Sequence, residues 1–227
     1  MKKDIQLIIF DCDGVLIDSE VLAMRMWQQV LKERGATLTP AYFVDQFLGK
    51  SVQIVEQCVE RDFGITLKPD DFAMFHRRLL ASFSAHLQPT EGITSLLKAL
   101  AVPYCLATSS PVERTSQALF CTSLDRFFPH HRFTRSQVKR GKPAPDLFLY
   151  AAQCMGVAPA HCLVIEDSPA GLEAAHAAGT QVLRFTGASH LKYLARSDSD
   201  EASVSSWQAF RARFPALLKH HSIKDTE

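Results

Sequence analysis

The sequence lacks the features that would place the protein in a membrane or on a nucleic acid. None of its apolar runs approaches the ~18 unbroken residues that a membrane span needs. Its charges nearly cancel, because 25 basic and 24 acidic residues leave a net charge of +1 and are interspersed along the chain. We therefore expect no membrane association and no general binding of nucleic acid.

Closely paired cysteines are also missing. The six cysteines form no C-x-x-C pair, a spacing that metal and redox sites often use. In the first residues, MKKDIQLIIFDCDG, the apolar run is too short and too soon followed by acids for a signal peptide. The interpretation is a cytoplasmic protein with reduced thiols.

Strand-like and helix-like segments alternate along much of the chain. A buried strand ends at Phe10, and further strands are predicted in PYCLATSS, HCLVIEDS and TQVLRF, with helices between them. The chain has 227 residues, of which 47% are hydrophobic, and this is enough to bury a sizeable core. The alternation predicts an α/β fold with a Rossmann-like parallel sheet and helices on both faces.

A purely helical block interrupts this alternation after the first strand. It contains four predicted helices, the first of which, SEVLAMRMWQQVLKERG, has Ser19 as a possible N-cap and Gly35 as a stop. We therefore predict a core domain formed by residues 1–17 and 88–227, with an inserted helical cap domain at residues 18–87.

Two carboxylates follow the first predicted strand, in the segment IIFDCDGVLIDSE. Asp11 and Asp13 repel one another and resist desolvation unless a positive charge lies between them. Side chains at i and i+2 lie on the same side of an extended strand, so the two are expected to converge. Gly14 lets the chain turn sharply after them. The pattern predicts a cation site, and an ordinary turn rich in Asp and Gly is the alternative.

Polar residues also follow the later strands. LATSS ends one strand with Thr108 and Ser109, whose hydroxyl and backbone N–H groups are suited to an anion, and LVIEDS ends another with Glu166 and Asp167. Lys142 lies in KRGKPAPD, a loop that two prolines stiffen. Each feature alone is typical of a helix cap or a solvated side chain. Together, at the strand ends where open α/β sheets bind ligands, they predict one site.

The segments DCDGVLIDSE, ATSS, GKPAPD and IEDSPAG, in this order, resemble the four signature motifs of the haloacid dehalogenase superfamily. The resemblance extends from Asp11 to about Phe185. The long helical interval between the first two motifs is similar to the cap of the branch that contains beta-phosphoglucomutase and sugar-phosphate phosphatases, including 6-phosphogluconate phosphatase.

The resemblance implies a phosphatase that acts on a small phosphate ester, such as a sugar or sugar-acid phosphate. Asp11 would attack phosphorus and form an aspartyl phosphate, and Asp13 would pass a proton to the leaving oxygen and later accept one from water. The cofactor would be Mg²⁺, which prefers oxygen ligands. The Mg²⁺ ligands would be Asp11, the backbone carbonyl of Asp13, Glu166 and Asp167. The phosphate-binding groups would be Thr108, the Ser109 amide and Lys142.

Several alternatives stay open within and beyond this superfamily. True dehalogenases lack the second acid, so Asp13 favours a phosphate substrate. Sugar phosphomutases use a cap histidine where this chain has Ala23, and phosphonatases use a cap lysine near the place of Lys50 but usually lose the second aspartate. A non-catalytic receiver-like phosphoacceptor module is the alternative outside enzymes, although such modules are far shorter.

The sequence says less about the substrate and the assembly. Gly49, Lys50 and Arg77 of the predicted cap are candidates for contact with the part of the substrate beyond its phosphate. The expected partner is a small phosphate ester, and the expected assembly is a monomer or a weak dimer.

Overall fold

The computed structural model describes residues 4–50, 52–193 and 203–219. Within these ranges, six parallel strands form one sheet. In chain order the strands are β1 (Leu7–Phe10), β2 (Tyr104–Thr108), β3 (Arg132–Thr134), β4 (Cys162–Glu166), β5 (Gln181–Phe185) and β6 (Ser203–Val204). They are ordered β3-β2-β1-β4-β5-β6 across the sheet, which confirms the predicted α/β class.

Nine α-helices accompany the sheet in the same ranges. They are α1 (Glu20–Glu33), α2 (Pro40–Tyr42), α3 (Val52–Phe63), α4 (Pro69–His86), α5 (Ile93–Ala99), α6 (Val112–Cys121), α7 (Asp146–Cys154), α8 (Pro169–Ala177) and α9 (Trp207–Arg213). A π-helical segment, Phe43–Phe47, continues α2. None of the helices in the described ranges is long and apolar enough to cross a bilayer.

The first four helices make up the predicted helical block, and no strand interrupts them among the described residues. The chain enters and leaves this block at neighbouring points. Ile17 forms a bridge with Pro89, and the backbone N–H of Asp18 donates to the carbonyl of Gln88 at 2.9 Å. The two connections between the helical block and the sheet therefore run side by side.

The sheet is buried on both faces, as the alternation along β1 shows. Leu7 and Ile9 belong to the apolar cluster that contains residues of α7 and α8, whereas Ile8 and Phe10 belong to the cluster on the opposite face. All four side chains are fully buried. A strand covered on both faces reads as a continuous apolar run, which is why LIIF marks β1 in the sequence.

The sequence pattern does not predict three of these elements, β3, β6 and α9. β3 has three residues and β6 has two, which is too short for a hydrophobic period to show. α9 is recognisable only in context, because Trp207 is buried by stacking on Phe185 at 4.2 Å and donates its indole N–H to Thr90 at 2.9 Å. These partners are distant in the chain, so no local pattern reveals them.

Candidate active site

Three carboxylates meet at the carboxyl edge of the sheet. Phe10 at the end of β1 is paired with Ile165 of β4, and the N–H of Asp11 donates to the carbonyl of Ile165 at 3.0 Å. This register brings Asp11 level with Glu166 and Asp167. One oxygen from each of the three lies within 4.8 Å of the others, and all three residues are buried.

Lys142 inserts its ammonium group between two of these carboxylates. Its Nζ donates to Asp11 Oδ1 at 2.5 Å, to Glu166 Oε1 at 2.6 Å and to the carbonyl of Ala107 at 3.2 Å. Burial opposes the charged form of Lys142, but Asp11 and Glu166 outweigh it and hold the pKa of Lys142 above its usual range. The lysine is therefore charged and fixed against the candidate nucleophile.

One ammonium does not balance three carboxylates. Desolvation raises the pKa of Asp11 well above its usual value, Lys142 opposes this, and Glu166 and Asp167 raise the pKa further. Desolvation and then Glu166 likewise raise the pKa of Asp167. The excess negative charge is what a divalent cation would neutralise.

The two acids of the fourth motif differ in how completely they are bound. Glu166 uses Oε1 for Lys142, and its Oε2 accepts from the backbone N–H of Ser168 at 2.8 Å and from the Ser168 hydroxyl at 3.0 Å. Asp167 Oδ2, by contrast, is buried without a hydrogen-bond partner among the described residues. The donor set of three buried carboxylates, all oxygen, fits a hard cation such as Mg²⁺.

Asp13 does not join this cluster through its side chain. Its carboxylate accepts from the Ser110 hydroxyl at 2.7 Å and Arg114 Nη2 at 2.8 Å, and also from the Ser19 hydroxyl. Desolvation acts to raise the pKa of Asp13, but Arg114 and the two hydroxyl groups outweigh it and leave the pKa lowered. Asp13 therefore has its own cation, separate from that of Asp11.

Asp11 and Asp13 line the same cavity, but their carboxylates pair with different cations, Lys142 for Asp11 and Arg114 for Asp13. The predicted N-cap differs, because Ser19 precedes α1 but its hydroxyl makes no cap bond and donates to Asp13 instead.

The hydroxyl-rich turn after β2 lies beside the acids. Thr108 ends the strand, is buried, and accepts from the backbone N–H of Ser110 at 3.0 Å. Ser109 is exposed, and both Thr108 and Ser109 line a cavity of about 390 Å³ that also contains Asp11 and Lys142. This volume lies within the usual range for a small-molecule site.

The helical block supplies the other wall of this cavity. The wall is rich in aromatic side chains, among which Trp27 and Phe75 are stacked with ring centroids 4.4 Å apart. The aromatic residues lining the cavity are Trp27, Phe43, Phe47, Phe72 and Phe75. A polar floor and an apolar wall give the cavity two chemically different sides.

The structure brings two of the three candidate cap residues to this cavity. Gly49 and Lys50 line it, whereas Arg77 is exposed on α4 and is not among the lining residues. The neighbouring His76 is also exposed but does line it, and partial desolvation followed by the charge of Arg114 lowers the pKa of His76. Gly49 has φ +69°, and a Cβ there would lie 3.0 Å from the Ser168 side chain, so glycine permits close contact between the block and the core.

Arg114 is the main residue of the site that the motifs do not reveal. It lies in the first turn of α6, where the helix dipole disfavours a positive charge. An acidic partner offsets this effect, and Arg114 forms an ion pair with Asp13 at 2.8 Å. A basic residue near the start of a predicted helix is thus the one feature of the sequence that could have indicated Arg114.

A profile of the family described as haloacid dehalogenase-like hydrolase matches residues 5–179. The chain is 31% identical to 6-phosphogluconate phosphatase of Escherichia coli over 189 residues, 83% of this chain and 86% of the relative. It is 34% identical to hexitol phosphatase A of the same organism over 188 residues, 77% of this chain and 80% of the relative. Among solved structures, a haloacid dehalogenase-like protein of unknown function from Agrobacterium tumefaciens superposes with a TM-score of 0.84 at 31% identity, covering 94% of this chain and 99% of that one.

The fold and the cluster of strand-end acids define an α/β hydrolytic enzyme with an inserted helical block. The chain belongs to the haloacid dehalogenase-like hydrolases. This membership confirms the resemblance carried by the four motifs, and it makes the chain an enzyme rather than a receiver-like module.

Proposed function

We propose that the protein hydrolyses a small phosphate ester, a sugar or sugar-acid phosphate, in the cavity between the sheet edge and the helical block. The observation that carries the proposal is the buried group of Asp11, Glu166, Asp167 and Lys142 on the floor of that cavity. The phosphatase names of the relatives support it.

In this proposal Asp11 is the nucleophile. One of its oxygens forms a bond to phosphorus while the bond from phosphorus to the ester oxygen breaks, and water then attacks the aspartyl phosphate and releases inorganic phosphate. Lys142, Thr108 and the Ser109 amide hold the phosphoryl oxygens, and Lys142 also keeps the Asp11 carboxylate in place.

Asp13 handles the proton that both half-reactions need. It gives a proton to the departing oxygen and takes one from the attacking water. Arg114 lines the same cavity and is the cation that an incoming phosphate can engage in place of Asp13. Desolvation favours the protonated form of Asp13 and Arg114 is the main charge that opposes it, so Asp13 could carry a proton once Arg114 is released.

The residues present fit Mg²⁺. Asp11, Glu166, Asp167 and the backbone carbonyl of Asp13 would hold it. When bound, Mg²⁺ supplies positive charge against the phosphoryl oxygens and reduces their repulsion of the nucleophile.

The helical block, residues 18–87, would act as the cap domain over a core of residues 1–17 and 88–227. The side-by-side connections at Asp18 and Gln88 support this division. The wall that the block contributes also argues against a mutase, because Ala23 lines the cavity with a methyl group where the mutases place an imidazole. The free thiols of all six cysteines fit the expected cytoplasmic location.

A panel of phosphate esters tests the substrate class directly. With Mg²⁺ present, we expect the highest kcat/KM for a sugar, polyol or sugar-acid phosphate, because a cavity of about 390 Å³ with a lysine at its wall encloses a small polar molecule. Phosphate release is measured for 6-phosphogluconate, hexitol phosphates, glycerol phosphate and nucleoside monophosphates. A preference for nucleotides, or no hydrolysis of any ester, would contradict the proposal.

Substitutions in the cavity wall should change the choice of substrate. We expect Lys50→Ala and His76→Ala each to lower kcat/KM for the preferred ester by about tenfold, the loss of roughly one polar contact, with little effect on p-nitrophenyl phosphate. Arg77→Ala, one residue from His76 but outside the cavity lining, is the matched control and should leave both substrates unchanged.

Lys142→Ala provides the opposite comparison. Every phosphate ester presents the same oxygens to Lys142, so both substrates should lose activity together. The division of roles fails if the wall variants reduce both substrates equally while Lys142→Ala discriminates between them.

A further inference from the structure

A histidine outside all four motifs lies against the acid cluster. His190 belongs to the helical turn Ser189–Tyr193, which follows β5, and its side chain is completely buried. Its Nε2 lies 3.2 Å from Oδ2 of Asp167. His190 is not one of the three residues whose oxygens form the cluster, but it contacts one of them, Asp167.

The contact between the two side chains is close but incomplete. Asp167 Oδ2 and both ring nitrogens of His190 lack a hydrogen-bond partner among the residues that the structure describes, although 3.2 Å is within hydrogen-bond reach. A buried acceptor without a donor destabilises the folded protein. The carboxylate oxygen of Asp167 can accept a hydrogen bond and the Nε2–H of His190 can donate one, so the two groups can satisfy each other.

The surrounding backbone keeps this pair together. Gly14 has φ +82°, and a Cβ there would lie 2.0 Å from Asp167 Oδ2 and 3.0 Å from His190 Cε1. The loop after β1 therefore packs directly against both side chains. From the other direction, the backbone N–H of Ser189 donates to Asp18 Oδ1 at 3.1 Å and anchors the turn that carries the histidine.

We infer that His190 is a positioning residue of the metal site: its Nε2–H donates to Asp167 Oδ2 and leaves the other carboxylate oxygen for the cation. The inference rests on the proposed Mg²⁺-dependent function. A carboxylate held on one oxygen by an imidazole loses rotational freedom before the metal arrives, so metal binding has less entropy to overcome.

Three variants of His190 separate this role from simple packing. Glutamine can place an amide N–H close to where Nε2 lies, asparagine is shorter and cannot reach Asp167, and leucine keeps apolar volume without any donor. The readout is the dissociation constant of Mn²⁺ alone, followed by electron paramagnetic resonance, because Mn²⁺ accepts the same oxygen ligands as Mg²⁺.

We expect His190→Asn and His190→Leu to weaken Mn²⁺ binding by about 10–100-fold, and His190→Gln to remain within about threefold of the wild type. The Mg²⁺ concentration for half-maximal activity should rise in the same proportion, with the KM for substrate unchanged. If the leucine variant does not fold, the comparison of glutamine with asparagine decides alone.

Two results would overturn the inference. One is Mn²⁺ binding by His190→Asn within threefold of the wild type, and the other is binding by His190→Gln that is as weak as that of His190→Asn. A wild-type protein that binds no Mn²⁺ and hydrolyses esters fully in EDTA would instead overturn the proposed metal-dependent function itself.

Discussion

Replacement of Asp11 by asparagine is expected to lower kcat by at least about 10³-fold, because an amide cannot supply the attacking oxygen. The fold should survive, since the two side chains have nearly the same volume. In EDTA the melting temperature should not fall, because the substitution removes one of three buried carboxylates that share a single ammonium group. Steady-state kinetics and thermal melting measure the two expectations separately.

Asp4→Asn is the matched control, since it makes the same chemical change at an exposed residue. It should leave kcat unchanged. Turnover of the Asp11→Asn variant within tenfold of the wild type would show that Asp11 is not the nucleophile. A loss of activity accompanied by a loss of folded structure would refute the expected stability instead.

Removal of the metal should have an effect of similar size. EDTA is expected to abolish hydrolysis and excess Mg²⁺ to restore it, because Asp11, Glu166 and Asp167 hold more negative charge than Lys142 can balance. Ca²⁺ should inhibit, since its larger and less ordered ligand shell disturbs the in-line arrangement of nucleophile and phosphate.

Melting curves give this prediction a second measurement. Mg²⁺ bound to the folded protein alone should stabilise it by about 2.7 kcal/mol at a hundredfold excess over its Kd. Arg140 and Asp146, which form an ion pair outside the cavity, provide a control, because Arg140→Ala should not alter the Mg²⁺ response. Full activity in chelator would contradict the metal site.

The sequence predicts the sheet edge well because the evidence for it is local. Asp11, Glu166 and Asp167 each follow an apolar run that is long enough to read as a buried strand, and parallel strands bring such ends together. Lys142 is recognisable from its motif but not from its surroundings. Its contact with Asp11 spans 131 residues and depends on how the loop folds back.

The remaining parts of the site depend on packing that no local pattern encodes. Arg77 and His76 are neighbours in α4, and the sequence alone does not show which of them faces the cavity. The rotation of α4 about its axis decides this, and His76 is the one that lines it. Asp13 belongs to a recognisable motif, but its partner Arg114 lies 101 residues further along the chain. His190 is found only because β5 and the turn after it return to the loop that follows β1.

The adjacent crossings at Ile17 with Pro89 and at Asp18 with Gln88 have a consequence for how such proteins diversify. Both ends of the helical insertion lie side by side, so a recombination event could exchange residues 18–87 as a single stretch of coding sequence while β1 and β2 stay paired. A chimera made in this way would keep the sheet-edge acids and acquire another enclosure. The part of the chain that carries out the chemistry and the part that encloses the substrate can therefore have different evolutionary origins.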